Sequence, residues 1–235
     1  MTKLVTFDAT NTIIRLSRPL GEQYSLAAKK FGLSLTAAPQ VLHNHFKSVM
    51  KASQPNYGRS LGMTAKEWWK RVVHETFARA GCPDAQRVDV VFEHLYEEYS
   101  KSHMWRVFPE VPDLLQRLCE KKTTLGVVSN FDDRLEQLLV SLQLRRYFAF
   151  VLTGYETGFE KPSLDMFRMA LREANCDAGD ALHVGDSFSH DYRPAMSLGI
   201  KALLIDREKG KTVMDAGIPD GDVIESLDSV LDHAS

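Results

Sequence analysis

Long apolar runs are missing from this chain of 235 residues. No segment approaches the ~20 consecutive apolar residues of a membrane-spanning helix, and no leader-like apolar stretch precedes the first short apolar run, Lys3 to Phe7. Cysteine is scarce. Cys82, Cys119 and Cys176 are odd in number, widely spaced and form no Cys-x-x-Cys pair, which fits reduced thiols that pack as small hydrophobes better than a disulfide frame. An excess of one charge is lacking too: 29 Lys and Arg stand against 31 Asp and Glu, a net charge of -2. With no long basic tract, electrostatics gives neither nucleic acid nor an anionic membrane a footing as main partner. Internal repeats are also absent. A soluble, cytoplasmic protein is the expectation.

What is present is enough for a core: 44% of the residues are hydrophobic and 26% charged. Five short apolar, partly β-branched segments read as buried strands, Lys3–Phe7, Thr124–Ser129, Phe148–Thr153, Ala181–Val184 and Ile200–Ile205. Between the later ones lie helical spacings at Val111–Lys121, Asp132–Leu142, Ser163–Asn175 and Asp191–Leu198. Such alternation predicts an α/β fold, a doubly wound parallel sheet with right-handed crossovers. About a hundred residues separate the first strand from the second, too many for one crossover. They read as helices at Leu20–Phe31, Ala38–Ala52, Thr64–Ala80 and Val88–Ser102, broken at Gly32, Gln54–Gly62 and Gly81–Asp84. An all-helical module is therefore expected between strand one and the rest.

Ligands of open parallel sheets bind beyond the carboxyl ends of the strands. Asp8 follows the first strand, Ser129-Asn130 the second and Gly185-Asp186-Ser187 the fourth, while Lys161 lies at the start of the helix after the third. Two carboxylates among oxygen donors suit a hard cation such as Mg2+. A hydroxyl and an ammonium suit phosphate oxygens, and an aspartate is a known nucleophile toward phosphorus. Asp191, five residues after Asp186, is either a third acid for the cation or a helix N-cap.

With "FDATNTI", "VVSNF", "EKPSLDMF" and "HVGDSFSHDYRPA" in this order, the sequence resembles the haloacid-dehalogenase-like hydrolase superfamily of helical-cap type over nearly its whole length. The resemblance implies a Rossmann-like core of residues 1–16 and 108–235 and a helical cap of residues 17–107 that closes over the site. It implies a Mg2+-dependent phosphoryl hydrolase acting on a small phosphorylated substrate through an aspartyl-phosphate. Asp8 matches the nucleophile and a metal ligand, and Thr10 would offer its backbone carbonyl to the metal. Ser129 and Lys161 would bind phosphoryl oxygens, with Lys161 also offsetting the charge on Asp8, and Asn130 adjoins the phosphate site. Asp186 matches the second metal carboxylate, with Asp191 beside it, direct or in the outer shell.

One position departs from that pattern. Most phosphatases of the superfamily carry a second aspartate two residues after the nucleophile, which protonates the leaving group and then activates water; here that residue is Thr10. A hydroxyl is a poor acid near pH 7, so slow turnover is expected. Arg59, His43 and His45 are cap side chains that could stand in. Two other functions stay open, a metal-free haloacid dehalogenase and a non-catalytic phospholigand-binding or scaffold protein. Asp186 and Asp191 weigh against the first, since acids around an anionic nucleophile need a compensating cation. Elsewhere the plainer readings hold: Tyr57, Trp68 and Trp69 as packing, and Val91–Tyr99 as a solvated helix face.

Overall fold

The computed structural model describes residues 2–53, 55–82, 84–207 and 217–234. Gln54 and Pro83, within two of the predicted breaks, and Met1 and Ser235 lie outside the described residues. The chain divides into two compact units, one formed by Met1–Arg15 and Val107–Ser235 and the other by Leu16–Arg106.

The first unit is built on a six-stranded sheet. Its strands are β1 (Leu4–Phe7), β4 (Thr124–Ser129), β5 (Phe150–Thr153), β6 (Ala181–Gly185), β7 (Lys201–Ile205) and β8 (Val223–Ile224). The order is β5-β4-β1-β6-β7-β8, and every pair is parallel. Strands covered on both faces are mostly apolar, and all four residues of β1 are buried, with Thr6 the one polar side chain among them. Helices α5 (Val111–Glu120), α6 (Arg134–Ser141), α7 (Gly154–Thr157), α8 (Leu164–Glu173), α9 (Arg193–Ser197) and α10 (Val230–His233) complete this unit. Helix α5 buries Val111, Leu114, Leu115 and Leu118, the i, i+3, i+4, i+7 spacing of one helical face. Met166 and Phe167 of α8 join Val128, Leu152 and Leu204 of the sheet in one core cluster.

Because β1 is flanked by β4 on one side and β6 on the other, the winding of the sheet reverses there. This switch point opens a crevice at the carboxyl end of β1, where Asp8 follows.

The second unit is helical: α1 (Leu20–Lys30), α2 (Pro39–Ala52), α3 (Ala65–Arg79) and α4 (Ala85–Glu98). Its core gathers Tyr24, Ala28, Leu42, Val73, Phe77, Val91, Phe92 and Leu95. Thr64 and Glu67 cap α3 reciprocally, side chain to backbone. Tyr57 meets Trp68 edge-on with ring centroids 4.9 Å apart, and Trp68 meets Trp69 at the same distance. These aromatics are packing, as the sequence suggests.

Three local expectations change. A sixth parallel strand, β8, has only two residues, too short for any periodicity to register. Strands β2 (Ile14–Leu16) and β3 (Trp105–Val107) pair as a separate ribbon. The helix expected over Asp191–Leu198 starts earlier, with a π-type turn at Phe188–Tyr192 that runs into α9.

Candidate active site

Asp8 continues the ladder one residue past β1, its N–H donating to the Val184 carbonyl at 2.9 Å. Its side chain is held from two sides. Lys161 Nζ donates to Asp8 Oδ1 at 2.7 Å, and the nearby hydroxyl of Ser129, the last residue of β4, favours the charged form of the same carboxyl. Lys161 lies in the loop before α8 rather than in the helix, because Ser163 takes the N-cap. That loop is pinned by Asn130: its Nδ2 donates to the Lys161 carbonyl at 2.8 Å, and the Lys161 N–H donates to its Oδ1 at 2.7 Å. The Lys161 ammonium, 3% exposed, also donates to Asp191 Oδ1 at 2.5 Å.

Asp191 is fully engaged. Oδ1 accepts from Lys161 and, at 3.2 Å, from His183 Nε2, and Oδ2 accepts the Ser187 N–H at 3.0 Å. The N-cap alternative for Asp191 is not realised, since Ser187 Oγ accepts the His190 N–H. Gly185 makes room for this carboxyl: a Cβ there would overlap it. On the other side, Asp186 Oδ2 accepts from Asn11 Nδ2 at 3.3 Å. The Asn11–Thr12 backbone is clamped by Arg207, which donates to the Asn11 carbonyl at 3.1 Å, to the Thr12 carbonyl at 2.6 Å and to Glu110 at 2.8 Å. Its guanidinium lies 3.4 Å from the centre of the Phe108 ring. Thr10 forms a bridge with Ile14 made by the Asn11 N–H and the Ala9 carbonyl, so its own carbonyl takes no part in it.

The cluster holds three carboxylates and one ammonium, and its electrostatics follow. Burial disfavours the Lys161 cation, but Asp191 and Asp8 more than compensate and hold it charged, pushed up to about 12. Burial likewise opposes the Asp191 carboxylate, yet Lys161 and His183 outweigh it and bring it below the usual range. The remaining negative charge falls on Asp8 and Asp186. Burial and the Asp191 charge raise Asp8 against the opposing pull of Lys161. Burial, then the Asp8 and Asp191 charges, push Asp186 up to about 7. Burial lowers His183, so its imidazole is neutral.

Asp8, Ser129, Lys161 and Asp191 thus meet directly, Asp186 is coupled to them through its charge, and Asn130 joins through the Lys161 backbone. No group of three or more His, Cys, Asp or Glu arranged to hold a metal occurs among the described residues. Asp8 and Asp186 are the carboxylates short of a cation, and Asp191 has both oxygens engaged. Three participants escape a reading by motif: His183, Asn11 and Arg207. Only His183 leaves a trace in the sequence, as an imidazole inside an apolar strand.

A family model described as haloacid dehalogenase-like hydrolase matches residues 2–199. The chain belongs to this family of hydrolases. Among its haloacid dehalogenase-like relatives, haloacid dehalogenase-like hydrolase domain-containing protein 3 of Mus musculus is 37% identical over 98% of this chain and 91% of its own length. Rhythmically expressed gene 2 protein of Drosophila melanogaster is 33% identical over 86% of this chain and 82% of its own length. The crystal structure of a 2-haloacid dehalogenase from Pseudomonas syringae pv. Tomato DC3000 aligns with a TM-score of 0.69 and 28% identity, over 99% of this chain and 97% of that one. The parallel sheet, with Asp8 at its switch point, is the Rossmann-like core that haloacid dehalogenase-like hydrolases share.

Proposed function

We propose that the protein is a Mg2+-dependent phosphoryl hydrolase that acts on a small phosphorylated metabolite through an aspartyl-phosphate on Asp8. The observation that carries this reading is the charge imbalance at the switch point: Asp8 and Asp186 sit above the ordinary carboxylate range with a single lysine between three acids. A dehalogenase nucleophile has no use for that surplus of acid, whereas a hard divalent cation neutralises it. Asp8, Asp186 and the Thr10 carbonyl would hold Mg2+, with non-protein ligands completing its shell. When bound, the ion supplies the positive charge that lets a carboxylate approach a phosphate.

The chain's own groups supply the rest. Ser129 and Lys161 donate hydrogen bonds to the phosphoryl oxygens. An Asp8 oxygen bonds to phosphorus as the bond to the leaving oxygen breaks, and that oxygen takes up a proton from solvent. Water then adds to phosphorus, inorganic phosphate leaves and the Asp8 carboxylate is restored. Thr10 supplies no acid for either proton transfer, so turnover is slow except with good leaving groups. The helical unit, Leu16–Arg106, is the cap that selects substrate. Three unpaired cysteines fit a reducing, cytoplasmic setting, and no helix among the described residues is long and apolar enough to cross a membrane.

The test is phosphate release from p-nitrophenyl phosphate and a panel of small phosphate esters, with Mg2+ and with chelator. Release that needs Mg2+ and is lost in Asp8→Asn is expected. A second reading draws on Thr10 and on the solved relative titled a 2-haloacid dehalogenase: halide release from a 2-haloacid with chelator present would establish it. Fluoroberyllate binding that needs Asp8, with no turnover of any ester, would point instead to a phospholigand-binding scaffold.

A further inference from the structure

His183 is buried, has no place in the steps above, and sits in the middle of a strand. It is 0% exposed on β6, directly opposite Thr6 of β1 in the parallel register. Cross-strand partners share a face of the sheet, and so do residues two apart. Thr6, Asp8, His183 and Gly185 therefore lie on one face, and Asp191 covers it at Gly185. Thr6 Oγ1 and His183 Nδ1 are 2.8 Å apart, and His183 Nε2 is 3.2 Å from Asp191 Oδ1. An ionised carboxylate only accepts, so the proton of this contact is on Nε2. The ring makes a T-shaped contact with Phe167, with centroids 5.0 Å apart and planes at 90°.

We infer that His183 is a positioning residue: its Nε2–H fixes the Asp191 carboxylate so that Lys161 is delivered to Asp8. The contacts form one line, Thr6 to His183 to Asp191 to Lys161 to Asp8, each within hydrogen-bond distance of the next. Lys161 Nζ needs two acceptors in fixed directions to point its third proton at a substrate oxygen. Asp8 is one and Asp191 the other; without the imidazole, Asp191 Oδ1 keeps no donor but Lys161 itself, and only the Ser187 N–H on Oδ2 still orients the carboxylate. Thr6 fixes which side of the ring faces Asp191. The consequence for rate rests on the phosphoryl-transfer reading above; the hydrogen-bond geometry does not.

Two variants separate donation from packing. His183→Leu and His183→Gln both lose the ring that packs on Phe167, but only glutamine keeps an N–H near the place of Nε2. Misplacing a reacting group by about 1 Å can cost about a hundredfold, and loss of this orienting contact is expected to cost about ten- to a hundredfold. We expect kcat of H183L with p-nitrophenyl phosphate and Mg2+ to fall by that factor with KM nearly unchanged, and H183Q to recover to within about threefold of wild type. In wild type, 15N NMR of the imidazole should show the proton on Nε2. Equal kcat in the two variants overturns the inference. So does a wild-type spectrum with Nε2 unprotonated, a result that needs no variant to fold. A wild type that shows the Nε2 proton but releases no phosphate overturns the proposed function instead.

Discussion

Replacing Asp191 by asparagine removes one charge and one acceptor from a carboxyl that receives three hydrogen bonds, from Lys161 at 2.5 Å, His183 at 3.2 Å and Ser187 N–H at 3.0 Å. An amide has a single oxygen. Placed where Oδ1 was, it serves Lys161 and His183 but turns its own N–H groups toward the Ser187 donor; flipped, it turns them toward Lys161 and His183. The first placement orphans one donor and the second two, so the first is favoured, and the Lys161 ammonium keeps only Asp8 as counter-ion. A charge-assisted bond contributes about 2 kcal/mol and a buried orphan costs about 1 kcal/mol. The sum, about 3 kcal/mol, lies at the low end for breaking a buried ion pair. For a chain of this size that lowers the unfolding midpoint by about 6–12 °C.

The pH dependence has a definite sign. Asp191 is held below the usual range in the folded state, so on acidification the unfolded chain takes up this proton first, near pH 3.9. The contribution of Asp191 is therefore complete above about pH 4 and fades as pH falls toward the lower native value. Calorimetry of wild type and D191N between pH 8 and the lowest pH at which both fold should give a gap that drifts near neutrality, where the Asp191 charge acts on Asp186, and closes below about pH 4. A gap under about 1 kcal/mol at pH 7, or one that does not close at the acid end, would refute the ion-pair account.

Thr10→Asp should raise turnover of an aryl phosphate by at least about tenfold, since positioned acid–base groups contribute about 10²–10⁴; no gain in a steady-state assay counts against the slow-hydrolase reading. Arg207→Met frees the Asn11 and Thr12 carbonyls and leaves Glu110 without its partner. The half-saturating Mg2+ concentration should rise by about tenfold, because Asn11 holds Asp186; an unchanged Mg2+ dependence would show that the clamp does not reach the metal site.

The fold was readable from the sequence where local pattern suffices. The parallel strands are apolar because both faces are covered, and Asp8, Ser129 and Asp186 stand out because each interrupts such a run. Lys161 could be placed near the site, but not in its loop before the Ser163 cap. Asp191 was visible as an acid, and its commitment to Lys161 and His183 was not. Residues joined by long loops leave no periodic mark: Arg207 reaches back 195 positions to Thr12, and Thr6 meets His183 across 177. Strand β8 failed for the opposite reason, since two residues carry no pattern. Gly185 is legible only once Asp191 is seen to occupy the space that a side chain would fill.

The central place of β1 also bears on how the chain is made. Leu4–Phe7 is synthesised first, yet its two neighbours in the sheet begin at Thr124 and Ala181. Until both have left the ribosome, an apolar strand stands with two unpaired edges, the state that invites association with other chains. The late Lys161 and Asp186 then close around the early Asp8, so the charged centre forms only after most of the chain is out. Such sequence-distant pairing makes folding slow. A chain stopped before Ala181 has no partner for the second edge of its first strand.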